Sequence, residues 1–157
     1  MKHACISFAL LAIFIASTSF CSKEVNPMVE ETASQNNNSD MQNKLRIKVG
    51  AKTFSATLWD NATATALKKM LPMTLEMIEL NDNEKYVRLP SSLPANASNP
   101  GTIRAGDLML YGSNTLVLFY ESFSTSYTYT KVGRIDDASG LAAALGTGNV
   151  KVRFELE

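Results

Sequence analysis

The chain has 157 residues with 15 basic and 15 acidic side chains, so its formal net charge is zero. That length fits one domain plus a short appendage, and the charge balance gives no basic footprint for nucleic acid. The single His and both Cys lie at His3, Cys5 and Cys21. The chain beyond them has no cluster for zinc and, for activating a serine, no His and only Lys131 as an isolated candidate base, so neither a metal nor a cofactor is expected.

The N-terminus reads as an export segment over residues 1–21. Lys2 and His3 precede the apolar run ACISFALLAIFIAS, which is of signal-peptide length and short for a membrane span. Cys21 stands where a bacterial lipoprotein is cleaved and acylated. The expected location is therefore the bacterial cell envelope, with membrane contact only through a lipid on Cys21. Thr18 and Phe20 depart from the usual lipobox, and ordinary secretory cleavage after Ser19 is the alternative. Residues 22–43 are polar and Asn-rich, with too few apolar side chains to offset the entropy of ordering, and are expected to form a linker.

From Lys44 the pattern acquires period two, predicting a domain over 44–157. KLRIKV and KTFSATL flank a Gly50-Ala51 turn and read as paired strands. DNATATALKKML predicts a helix capped by Asp60 or Asn61 and ended by Pro72, with Ala66, Leu67, Met70 and Leu71 on its apolar face. TLEMIEL and KYVRLP are strands around an NDN turn. Residues 90–107 form a long loop with one ordered turn at Asn99-Pro100-Gly101. DLMLYG, TLVLFYE and YTKVGRID follow as strands, and LVLFY, apolar on both faces, should be central. DDASGLAAALG predicts a short helix with Asp136 and Asp137 at its start. NVKVRFELE closes the chain with Val150, Val152, Phe154 and Leu156 facing inward. About eight strands and two helices in so short a domain predict a mainly β barrel or sandwich.

The segments LWDNATATALKKMLPMTLEM, EKYVRLPSSLP, NPGTIRAGDLMLYGSNTLVLFYESFSTSYTYTKVGRID and GLAAALGTGNVKVRFEL together resemble the bacterial cyclophilin-like domain family over residues 44–157. The resemblance implies a closed eight-stranded β-barrel with two short helices. CSKE after the apolar run is similar to the export tag of Bacteroides-type surface lipoproteins. Cyclophilins place an Arg beside an apolar proline pocket, and Arg88 occupies about the matching region, as a catalytic candidate for weak peptidyl-prolyl isomerisation. Leu116-Val117-Leu118-Phe119 stands where their Gln-Phe-Phe strand would be. Related domains also occur beside flavodoxin-like redox domains, which makes an accessory role another reading.

The leading expectation is a monomeric, non-catalytic module that binds an unknown peptide or small molecule. Its groove would be bounded by the 90–107 loop, strand 115–121 and segment 122–130. Tyr111, Phe119, Glu121, Phe123 and Tyr127 are the pocket candidates. Each has a plainer reading: the aromatics as core, Glu121 as an exposed strand end, and Arg88 as solvated or paired with Glu84. The hydroxyl run Ser122–Thr130 is either a half-exposed strand or the rim of a binding site.

Overall fold

The structure, a computed structural model, describes residues 43–157. The export segment, Cys21 and all of the linker except Asn43 lie outside the described residues. Eight strands close into an antiparallel barrel: β1 (Lys44–Val49), β2 (Lys52–Leu58), β3 (Met73–Leu80), β4 (Glu84–Arg88), β6 (Asp107–Tyr111), β7 (Thr115–Phe119), β9 (Thr130–Ile135) and β10 (Val150–Leu156). Their order around the wall is β1-β10-β3-β4-β7-β6-β9-β2. Closure pairs every barrel strand on both sides, so none is left as an open edge.

Alternation builds the core. Leu45, Ile47 and Val49 of β1 point inward and meet Phe54 and Ala56 of β2 on one side and Val152 and Phe154 of β10 on the other. Helix α1 (Ala62–Lys68) follows β2, and α2 (Leu141–Leu145) follows β9. Because β2 and β9 are antiparallel neighbours, the two helices lie at opposite ends of the barrel. Asn61 caps α1, its Oδ1 accepting from the Ala64 N–H at 2.8 Å. The helix stops at Lys68 rather than running to Pro72. Met70 and Leu71 continue in tighter turns, their N–H groups bonding Leu67 and Lys68 carbonyls, and both still pack on the core. A residue before proline resists the helical conformation, so Leu71 could not have carried the helix into Pro72.

Two further expectations need correction. Leu156 is 45 % exposed: it still pairs with Leu45 of β1, but the pairing of β10 with β3 ends at Phe154 and Met73, which leaves its other side open. Asp136 and Asp137 do not cap α2, whose N-cap is Gly140. Asp136 instead bonds Lys44 and Thr57, and Asp137 accepts from the Ser139 N–H.

The outer face of β7 is covered as well. Leu116 and Leu118 enter the barrel core, while Val117 and Phe119 join Ile103, Met109 and Tyr129 in a second apolar cluster outside the wall. This cluster is held by two strands that the sequence pattern did not reveal, β5 (Thr102–Ile103) and β8 (Phe123–Ser124), which pair only with each other. Both are two residues long, too short for alternation to register. The Asn99-Pro100-Gly101 turn forms as expected, with the Gly101 N–H donating to Asn99 Oδ1 at 2.6 Å and Gly101 at φ +70°.

Candidate functional site

A cleft of about 380 Å³ opens on the outer face of β4, β7 and β6. Its layout follows from strand register. Arg88 pairs with Thr115, which pairs with Tyr111; two residues along, Tyr86 pairs with Val117; two further, Glu84 pairs with Phe119. Glu84, Tyr86 and Arg88 therefore share the outer face of β4. Glu84 and Arg88 stand near opposite ends of the cleft, about 13 Å apart along the strand.

Aromatic rings form the walls. Tyr111 and Tyr127 meet edge to face with centroids 6.4 Å apart, and Tyr111 lies 5.6 Å from Tyr129. Phe119 is fully buried beneath, packing edge-on against Phe123 at 5.7 Å and Tyr129 at 5.5 Å. It supports the cleft from below and does not line it. Tyr111, Phe123 and Tyr127 all line it, as does Arg88. Glu121 is exposed and outside the lining, since it follows the last paired residue of β7. The expected boundary also shifts. The 90–107 loop contributes no lining side chain and acts only as backing, through Ile103 and the Ser98–Tyr129 bridge. In its place the β3–β4 turn supplies Leu80, Asn81, Asn83 and Glu84.

That turn is shaped by Asn81 and Asp82, at φ 57° and 54°, a left-handed conformation that Asn and Asp adopt more readily than other side chains. It delivers Glu84 to the cleft in an unusual state. The residue is 9 % exposed, and among the described residues no hydrogen bond or ion pair reaches its carboxyl. Burial, reinforced by the nearby charge of Glu79, raises its pKa from about 4.5 to about 7. Asn83 Oδ1 beside it is buried without a partner among the described residues. Burial, with the charge of Glu84 next, also pushes the Tyr129 hydroxyl up to about 12. Arg88 is exposed and makes no ion pair among the described residues, so the suggested pairing with Glu84 does not form.

Glu84, Asn83, Tyr86 and Tyr129 are lining residues that the sequence reading did not select. For Glu84 and Tyr86 a signal existed: on one strand, Glu84, Tyr86 and Arg88 alternate with Lys85 and Val87. That spacing places a carboxyl, a phenol and a guanidinium on one face. It was obscured because the same pattern sends Lys85 into the core.

Among solved structures the chain is similar to a hypothetical protein from Archaeoglobus fulgidus, determined in solution. The two are 17 % identical with a TM-score of 0.50, and the match covers 75 % of this chain and 97 % of that one. At that identity the likeness is one of fold. No curated protein matches the chain. The model of the Cyclophilin-like family matches residues 47–155.

Proposed function

The chain belongs to the Cyclophilin-like family, and on that scaffold we propose a non-catalytic binding module that takes a small ligand or an extended peptide segment in the outer cleft. The observation that carries this reading is the lining itself. Tyrosine walls over the outer face of β7 are flanked by a carboxyl and a guanidinium that the protein leaves without side-chain partners among the described residues. Such a site offers apolar area with a few orienting polar groups, the usual make-up of a ligand pocket. Among the described residues no His, Cys, Lys or Ser lines it, and its one hydroxyl nucleophile candidate, Thr115, pairs with Arg88 at the end of the cleft away from Glu84, so the two do not form a nucleophile and base pair. A thermal-shift screen against peptides and small metabolites tests the proposal. At least one class should raise the melting temperature of the wild type and do so less in Tyr127→Ala. A flat response across the library would remove the reading.

A second reading is favoured by the position of Arg88. It lines the cleft beside Thr115 and Tyr111 with no competing ion pair among the described residues, as a guanidinium would need to be to stabilise a twisted X-Pro amide. Weak prolyl isomerisation is tested on a short Xaa-Pro peptide, wild type against Arg88→Ala. No wild-type rate above the uncatalysed one excludes it for that substrate.

We also propose that the domain is exported and anchored through a lipid on Cys21, on the strength of the apolar run and the Cys that closes it. Incorporation of a fatty-acid analogue should be lost in Cys21→Ala, and equal labelling of both proteins would contradict the anchor.

A further inference from the structure

We propose that the Glu84 end of the cleft is a receptor for a cationic nitrogen group, a primary ammonium or guanidinium carried by a free amine or by a Lys or Arg side chain of a peptide. The inference rests on the binding-module reading and names the ligand chemistry of that site. One acceptor faces the cleft there without a donor among the described residues, the Glu84 carboxyl on a residue 9 % exposed; Asn83, whose buried Oδ1 also lacks a partner among the described residues, lines the same end. An ionised carboxylate can only accept hydrogen bonds, so the complementary group is a donor. A buried carboxylate also calls for compensating charge, which a hydroxyl or amide cannot supply. The surrounding rings act in the same direction, because Tyr86, Phe123 and Tyr129 line the same cleft and aromatic faces attract cations.

The charges around Glu84 reinforce this. Glu79 on β3 acts on it as a negative charge, and Glu79 is itself occupied by Lys85 and Tyr120. Tyr86 on β4, Tyr111 on β6, and Tyr127 and Tyr129 ahead of β9 bring phenol rings to the same cleft. Arg88, the one cation in the lining, stands about 13 Å along the strand at the other end. A bound ammonium would hold Glu84 ionised and displace its proton. Affinity should therefore rise as the pH passes through about 7.

The test is a titration of the full chain, followed by NMR shifts of the cleft tyrosines, with matched probes. Cadaverine is compared with pentan-1-ol, and N-acetyl-lysine methylamide with N-acetyl-norleucine methylamide. Each cationic probe that binds should do so about ten-fold more tightly than its uncharged counterpart, the size expected of one buried, charge-compensated contact. Glu84→Gln should erase that preference, whereas Glu76→Gln, on the exposed face of β3, should keep it. Binding by cadaverine alone would assign the site to free amines, and binding by the lysine derivative alone to peptide side chains. Equal binding of charged and uncharged probes, unaltered in Glu84→Gln, would overturn this inference and leave the binding-module reading standing. No shift with any probe would overturn this inference, while the binding-module reading falls only with a flat response in the thermal-shift screen.

Discussion

Glu84 and Lys85 are adjacent in the chain and face opposite sides of the barrel wall. Both are buried, and their solutions to burial differ. Lys85 Nζ donates to Glu79 Oε2, to the Gly146 carbonyl at 2.7 Å and to the Gly148 carbonyl at 2.8 Å, using all three ammonium donors. The Tyr120 hydroxyl donates to the other oxygen of Glu79 at 2.8 Å, and its ring lies 5.3 Å from Lys85 Nζ. Glu84 has no such partner among the described residues. One strand thus presents a satisfied cation to the interior and an unsatisfied carboxyl to the cleft, which is why the second reads as poised for a ligand and the first as architecture.

The pH dependence of stability should reveal Glu84. Its carboxyl titrates near 4.5 in the unfolded chain and near 7 in the folded one, so between those values the folded state holds more protons. Stability contributed by this group is therefore present below the unfolded value and lost as the pH rises through about 7. Glu84→Gln removes the loss. The variant should match the wild type at low pH and exceed it at pH 8 by on the order of 1–2 kcal/mol, a figure discounted because the carboxyl opens on the cleft. Urea unfolding at several pH values measures the difference, and parallel profiles for the two proteins would show that Glu84 is not the titrating group.

Lys85→Met should do the opposite at every pH near neutrality. Removing one member of a buried pair strands the other, at a cost of about 3–5 kcal/mol. Here the stranded groups are Glu79 and two carbonyls of the segment between α2 and β10. Amide exchange should accelerate first in that segment. Burial pushes the Glu79 carboxyl up, but bonds from Lys85 and Tyr120 outweigh it and hold its pKa below the usual value. The stability this confers is present above about 4.5 and lost as the pH falls toward the native value. Lys85→Met should weaken that acid-side loss as well as lower the plateau.

How far the sequence discloses this arrangement depends on the range of the forces involved. Alternation reports which face of a strand is apolar, so all eight barrel strands were legible from residues such as Leu45, Ile47 and Val49. The doubly apolar run at Leu116–Phe119 likewise announced a strand covered on both sides. Period two does not say which neighbour a polar side chain meets. Lys85 and Glu84 look alike as charges at a strand start, and only closure of the barrel brings Gly146 and Gly148 to the one while the other faces the cleft. Tyr127 and Tyr129 share a hydroxyl-rich stretch, yet one is 63 % exposed and the other 7 %. The difference arises because Tyr129 bridges to Ser98, a long-range contact with no local signature.

Asn61 links local capping to tertiary structure. Its Oδ1 accepts from Ala64, and its Nδ2 donates to the Lys131 carbonyl at 2.9 Å, fixing α1 to the start of β9. Asn61→Ala removes both bonds and should cost about 1–2 kcal/mol. Asn61→Asp keeps the acceptor but not the donor, so it should recover part of the loss. Equal unfolding midpoints for Asn61→Asp and Asn61→Ala would mean that the cap bond to Ala64 contributes nothing, and equal midpoints for Asn61→Asp and the wild type would mean the same of the bond to Lys131.

Gly133 has a different kind of necessity. It lies mid-strand in β9, opposite Leu58 of β2 and Leu108 of β6, next to the register shift between Leu108 and Met109. A Cβ at this position would stand 2.8 Å from the Thr57 carbonyl oxygen, 3.1 Å from Leu58 Cδ2 and 3.2 Å from Leu58 Cα. Two of these obstacles are backbone atoms and cannot turn aside, so the two strands would have to separate. Gly133→Ala should therefore cost about 1–3 kcal/mol despite its gain in strand propensity. Gly148→Ala is the control, since nothing lies within 4 Å of its added methyl. It keeps the carbonyl that Lys85 uses and should stay within about 0.5 kcal/mol of the wild type. If denaturation midpoints showed Gly133→Ala as mild as Gly148→Ala, the close approach of β2 and β9 at this point would not constrain the barrel.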